Sequence, residues 1–183
     1  MRRFLRFFAP VSMFALVAGA AHAQAPNTTL PGPFGPPSWD TQYPAKERFL
    51  VLTQFNSEAV LDRETGLVWQ RSMIGATFTW PYALLSCQEQ IIGNRRGWRL
   101  PSYEELNSLL DPKHTNPALP PNNPFKNFLP TDIFWSATTA AADTTRAYTM
   151  VVANAAVTGV GSKTLTSVRA WCVRGGQGTQ NPF

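Results

Sequence analysis

Few side chains in this chain could do chemistry. Its 183 residues hold two histidines, His22 and His114, and two cysteines, Cys87 and Cys172. A metal centre needs several ligands at suitable spacing, and none can be assembled around His114 in Asp111-Pro112-Lys113-His114-Thr115-Asn116. His114 therefore reads as a loop residue, and no metal is expected. Glu104 and Glu105 are adjacent acids of the kind used in acid–base catalysis. At a helix start, however, capping and the helix dipole account for them. Neither a glycine-rich phosphate loop nor a serine-nucleophile elbow is present. The reading is of a chain that is not an enzyme, with no catalytic residue and no cofactor.

Cation chemistry remains. Arg95 and Arg96 fall in one loop, and Lys113, Lys126 and Lys163 in others. Brought together they would form an anion-binding patch suited to sulfate or phosphate groups; kept apart they are solubilising charge. Arg99 differs, because Trp98 and Leu100 flank it as core anchors. It is expected to be buried and ion-paired with Asp62 or Glu105.

These residues are positioned around one stretch, Gly97-Trp98-Arg99-Leu100-Pro101-Ser102-Tyr103-Glu104-Glu105-Leu106. Ser102 stands where an N-cap belongs, and Glu105 follows three residues later, which is a capping box. Pro101 keeps Leu100 out of helical geometry, so the boundary is sharp. Leu106, Leu109 and Leu110 then give a short helix one apolar face, and Pro112 ends it.

The ends speak for the compartment. Met1-Arg2-Arg3 with Arg6, an apolar run from Phe7 to Ala18, and Ala21-His22-Ala23 before Gln24 read as a secretory signal peptide over 1–23. The full chain has 16 Lys+Arg against 11 Asp+Glu, a net of +5. Removing Arg2, Arg3 and Arg6 leaves 13 against 11, a net of +2. The basic pI near 9.6 is thus largely a targeting feature and does not point to nucleic acid. In an exported chain an even cysteine count favours a disulfide, with free or catalytic thiols as the alternative. After cleavage no membrane span is expected.

Residues 24–46 form a proline-rich arm or linker, with Trp39 either pinning it to the domain or serving as an exposed contact. The folded domain is expected over 47–176 and a flexible tail over 177–183. Arg48–Leu52 is strand-like. Ala59–Leu61 and Leu67–Gln70 read as a hairpin, with Asp62 and Gly66 shaping the turn and Trp69 facing the core. Thr79 caps a helix from Trp80 to about Ile92. Trp80, Leu84, Cys87 and Ile91 point inward from it, and Gly93-Asn94 closes it. Asp111–Thr131 holds Pro112, Pro117, Pro120, Pro121, Pro124 and, at its end, Pro130, so it is expected to be irregular and packed by Phe125 and Phe128. Strands follow at Ile133–Thr138, Arg146–Val152 and Val157–Gly161. One last strand is expected over Ser167–Arg174, with Val168, Ala170 and Cys172 on one face and Arg169, Trp171 and Val173 on the other.

Four stretches together resemble one family. They are Asp62–Trp69, Gly97–Leu106, Phe134–Thr138 with its Trp135, and Cys172–Gly176. In order and spacing they are similar to the Lcl C-terminal domain family of exported bacterial proteins, over roughly Phe49 to Gly176. The resemblance implies an α+β, C-type-lectin-like fold with two short helices and a twisted antiparallel sheet. It also implies a long-range disulfide from the first helix to the last strand, where Cys87 and Cys172 fall. The adhesin that names the family binds sulfated glycans and forms trimers. This chain departs from the pattern in having Gly97 where the family usually carries an aspartate. It lacks the collagen-like repeat, and it lacks the triplets on which calcium-dependent lectins rely, so calcium is not expected.

The reading that follows is of an exported recognition module, in the periplasm, at the cell surface or secreted. It would bind a sulfated or other glycan, or a cell-envelope protein, in the manner of an adhesin. Specificity would come from the Asp111–Thr131 and Ala140–Thr145 loops. The alternative is a structural envelope protein whose arm docks onto a protein partner or onto another copy as a homo-oligomer.

Overall fold

A computed structural model describes residues 43–154 and 158–175, which belong to one compact unit. The signal peptide at 1–23, the arm up to residue 42 with Trp39, Gly176 and the tail at 177–183 lie outside the described residues. In chain order the elements are α1 (Ala45–Arg48), β1 (Phe49–Leu52), β2 (Ala59–Asp62), β3 (Val68–Gln70), β4 (Thr77–Phe78), α2 (Trp80–Glu89), α3 (Tyr103–Ser108), β5 (Ile133–Thr139), β6 (Arg146–Val151), β7 (Thr158–Ser162), β8 (Val168–Arg169) and β9 (Val173–Arg174). The class is α+β with few helices. No helix among the described residues is long and apolar enough to cross a membrane.

The strands form two sheets rather than one. The first has the order β1-β2-β3-β9 and is antiparallel throughout. The second has the order β4-β8-β5-β6-β7 and includes a parallel pairing of β5 with β8. The single strand expected over Ser167–Arg174 is therefore divided between the sheets. Val168 and Arg169 pair with Phe78 and Thr77, whereas Val173 and Arg174 pair with Trp69 and Val68. The division follows from long-range bonds made between the two pairings. Trp171 Nε1 donates to Gln70 O at 3.0 Å, Gln70 N donates to Cys172 O at 2.9 Å, and Cys172 is bonded to Cys87. These bonds pull the chain off the second sheet before β9 joins the first.

The core is two apolar clusters with the β2–β3 ladder between them. Ala59, Leu61 and Val68 face one cluster, together with Cys87, Trp98, Leu100 and Trp135. Val60, Leu67 and Trp69 face the other, with Leu106, Leu109, Leu119, Phe134 and Trp171. Both faces of that ladder are thus covered, as its run of buried apolar residues requires. The expected alternation over 168–173 holds. Val168, Ala170 and Cys172 lie in the first cluster, and Trp171 and Val173 in the second.

Helix α2 starts after Thr79 as expected, although the Thr79 side chain makes no capping bond. It ends at Glu89 rather than near Ile92. Ile92 and Arg95 exchange backbone bonds of 3.1 and 3.0 Å around Gly93 and Asn94, both at positive φ. That tight reversal cannot be helical. It also reverses which isoleucine faces inward: Ile91 is 55% exposed and Ile92 is 7% exposed. Gly93 is required there, since a Cβ would lie 2.5 Å from Phe55. Arg48, read as the first residue of a strand, instead closes the short helix α1 and is buried.

Around α3 the local instructions are carried out in full. Ser102 Oγ accepts from Glu105 N at 3.2 Å, and Glu105 Oε2 accepts from Ser102 N at 2.8 Å. Leu106 and Leu109 are buried and Pro101 is buried ahead of them. Asp111–Thr131 contains no helix and no strand, and Phe125 packs on Trp171 with ring centroids 4.9 Å apart. It is not a free loop. Ala118 N donates to Val152 O at 2.7 Å, and Ala118 and Leu119 are buried.

Candidate functional site

The disulfide organises the first part of the site. Cys87 on α2 is bonded to Cys172, with Cα atoms 5.4 Å apart, and no free cysteine occurs among the described residues. Cys172 in turn holds Gln70. Its carbonyl accepts from Gln70 N at 2.9 Å, and its N–H donates to Gln70 Oε1 at 3.3 Å. Next to Gln70, Arg71 is fixed by donating from Nε to Pro124 O at 3.2 Å and from Nη1 to Ser57 O at 3.0 Å. Lys126 N donates to Arg71 O at 2.9 Å, which brings the proline-rich segment against β3. Glu58 Oε2 accepts from Gly93 N at 2.6 Å, which brings up the Ile92–Arg95 reversal. These contacts border an open recess of about 320 Å³, lined among others by Glu58, Gln70, Arg71, Gln90, Ile91 and Lys126.

The second part is an arginine corner that follows the same reversal in the chain. Arg99 and Val173 exchange backbone bonds of 2.8 and 2.9 Å. The Arg99 guanidinium grips Glu105 at 2.7 and 2.6 Å and donates to Gly175 O at 2.7 Å. Of the two expected partners it has Glu105. Asp62, fully buried, is taken by Arg48 at 3.0 and 2.8 Å. Burial alone would lower the Arg48 pKa. Bonding to Asp62 and the charges of Asp62, Glu64 and Asp111 outweigh that and raise it, so this guanidinium stays charged. Arg174 Nε donates to Arg96 O at 2.9 Å. Gly97, at φ +85°, leaves open space there: a Cβ would meet only Arg174 Nε, at 3.8 Å.

Of the five cations singled out in the sequence, Arg95 and Arg96 thus stand together, joined by Arg174. Arg95 also lies over the Phe55 ring at 5.5 Å. Lys126 lines the recess. Lys113 is exposed beyond α3, with its N–H on Asp111 Oδ1 at 2.9 Å. Lys163 lies 4.0 Å over the Trp80 ring and donates to Thr139 Oγ1 at 2.9 Å. No bond or ring contact joins Lys113, Lys126 or Lys163 to one another or to the arginine pair. Sequence reasoning missed Arg174 and Gln70. The signal for Arg174 was its place in the Cys172–Gly176 stretch, two residues after Cys172, and nothing local pointed to Gln70.

The turn and hub residues serve the frame. Asp62 accepts from Glu64 N at 3.1 Å and from Thr65 Oγ1 at 3.0 Å, and Gly66 takes φ +71°. Trp69, Trp98, Leu100 and Trp135 are buried. Trp98 Nε1 donates to Arg95 O at 2.8 Å and Trp135 Nε1 to Phe78 O at 2.9 Å. His114 faces Asp111 at 3.5 Å. Among the described residues no group of three or more His, Cys, Asp and Glu stands together in a way that could hold a metal ion.

Fold and site together define a disulfide-stapled α+β domain with two small sheets, a polar recess and a cationic corner. Residues 58–174 match the Lcl C-terminal domain, and the chain belongs to that family. Comparisons with curated proteins and with solved structures found no match.

Proposed function

We propose that this protein is an exported, non-catalytic recognition module for an anionic glycan of the cell envelope or its surroundings. One observation carries the reading. Ion pairs among the described residues take only Lys46, Arg48, Arg99 and Arg169 of the thirteen Lys and Arg beyond residue 23. The carboxylates fasten loops, and the cations at the Arg95–Arg96–Arg174 corner are left without one. Unpaired guanidinium groups on a surface suit sulfate, phosphate or carboxylate groups. Both cysteines are spent on a disulfide, which supports an oxidising compartment and leaves no thiol for catalysis. Two principal helices and a disulfide from α2 to the final segment also support the C-type-lectin-like grouping.

A glycan array at two salt concentrations, with calcium or with chelator, tests this. Binding to anionic glycans that fades with salt, ignores chelator and is lost in an Arg96→Gln, Arg174→Gln double variant is expected. A blank array would refute the reading and turn the search to protein partners of the arm.

A further inference from the structure

We infer that the recess beside the disulfide is a second subsite, which takes one sugar ring bearing an anionic substituent. This rests on the glycan reading above and gives that glycan a point of contact apart from the arginine corner.

Gln70 carries the argument. It is only 6% exposed, and Cys172 N–H occupies its Oε1, which fixes the orientation of the amide. Its Nε2 donates to no protein acceptor among the described residues. Trp69 Nε1 is the sole fully enclosed side-chain polar atom without a partner among them. The Gln70 amide nitrogen is therefore open to the recess that Gln70 lines. Because Cys172 holds the other end of the amide, Nε2 is a donor of fixed orientation, from which a ligand hydroxyl in the recess can accept.

The surrounding groups follow the same pattern, each tied to the frame by one end. Glu58 uses Oε2 on Gly93 N, and its other oxygen has no partner. Gln90 uses Nε2 on Ser86 O at 3.2 Å, and its Oε1 has none. Arg71 uses Nε and Nη1, which leaves Nη2. Ile91 adds an exposed apolar wall. A sugar ring presents hydroxyls that both donate and accept, and a C–H face that is apolar. Side-by-side donors and acceptors beside an isoleucine match it. A recess of about 320 Å³ sits at the small end of ligand sites, the size of a ring or two. Arg71 and Lys126 against Glu58 leave one positive charge in excess, which favours a carboxylate or a sulfate ester on that ring.

Calorimetric titration of the purified full-length chain tests the subsite. The probes are an unsulfated uronic-acid tetrasaccharide, its sulfated counterpart and neutral cellotetraose. Both acidic probes should bind at least tenfold tighter than the neutral one, and the stronger of the two identifies the substituent. Gln70→Glu keeps the acceptor for Cys172 and removes the free donor, so it should weaken binding at least tenfold. Lys126→Gln, on an exposed side chain, should do the same with an unchanged melting temperature. If acidic probes lose affinity in the Arg96→Gln, Arg174→Gln protein but not in Lys126→Gln, the recess is wrong and the glycan reading stands. Equal binding of the neutral probe, or no binding of any probe, also overturns the subsite.

Discussion

The α3 hub and the recess are built from the same kinds of side chain, yet they finish differently. At the hub, Arg99 has both carboxylate oxygens of Glu105 and a backbone carbonyl, while Ser102 and Glu105 satisfy each other's amides. The polar groups there close on the protein. At the recess, Gln70, Glu58, Gln90 and Arg71 each close one end and leave the other open. A closed polar network specifies structure, whereas one that is half-closed on a rigid frame is suited to a ligand. Charge alone does not separate the two regions; the count of satisfied ends does.

The largest effect should come from removing the disulfide that both regions lean on. Its 85-residue separation predicts that Cys87→Ala with Cys172→Ala costs about 4–5 kcal/mol in the chain-entropy model, read as a lower denaturation midpoint. Because Cys172 clamps Gln70, the melting transition should drop together with ligand affinity.

Next comes Arg99→Met, which leaves Glu105 facing the hub without its cation. The pair is 12% and 18% exposed, so the cost should be about 2 kcal/mol, below that of a fully buried pair. Affinity of the surviving folded protein should not change. A stable Arg99→Met protein that lost ligand would put Arg99 in the site and erase the distinction. Ser102→Ala should cost about 1 kcal/mol by losing the cap, measurable by urea unfolding, again without effect on binding. Lys126→Gln should show the reverse pattern, with stability within about 0.5 kcal/mol and binding weakened at least tenfold.

The smallest effect concerns pH, at a loop away from both regions. Bonds from Thr145 hold the Asp143 pKa below its ordinary value. A carboxylate with a lowered folded pKa stabilises above its unfolded pKa, and that contribution fades as pH falls through the folded value. Asp143→Asn should therefore lose a little stability near neutral pH and match the parent in strong acid. Melting curves across pH would show it.

Legibility followed sequence distance. The capping box, the Asp62–Gly66 turn and the inward face of α3 each involve residues within a few positions of one another, so their bonds could be read directly. The irregular Asp111–Thr131 segment was legible from its prolines, but its attachment through Ala118 to Val152 and Lys126 to Arg71 was not. The end of α2 was misplaced because the reversal at Gly93 answers to Phe55, nearly forty residues earlier.

By itself the sequence determined the hub, the strand alternation and, through four spaced motifs, the family, because backbone bonding preferences and apolar periodicity act over neighbouring residues. The tertiary structure alone decided the two-sheet division, the meeting of Arg96 with Arg174, and the recess. Those depend on partners brought from far along the chain. Whether a glutamine's free end reaches solvent is settled only when Cys172, 102 residues later, takes the other end.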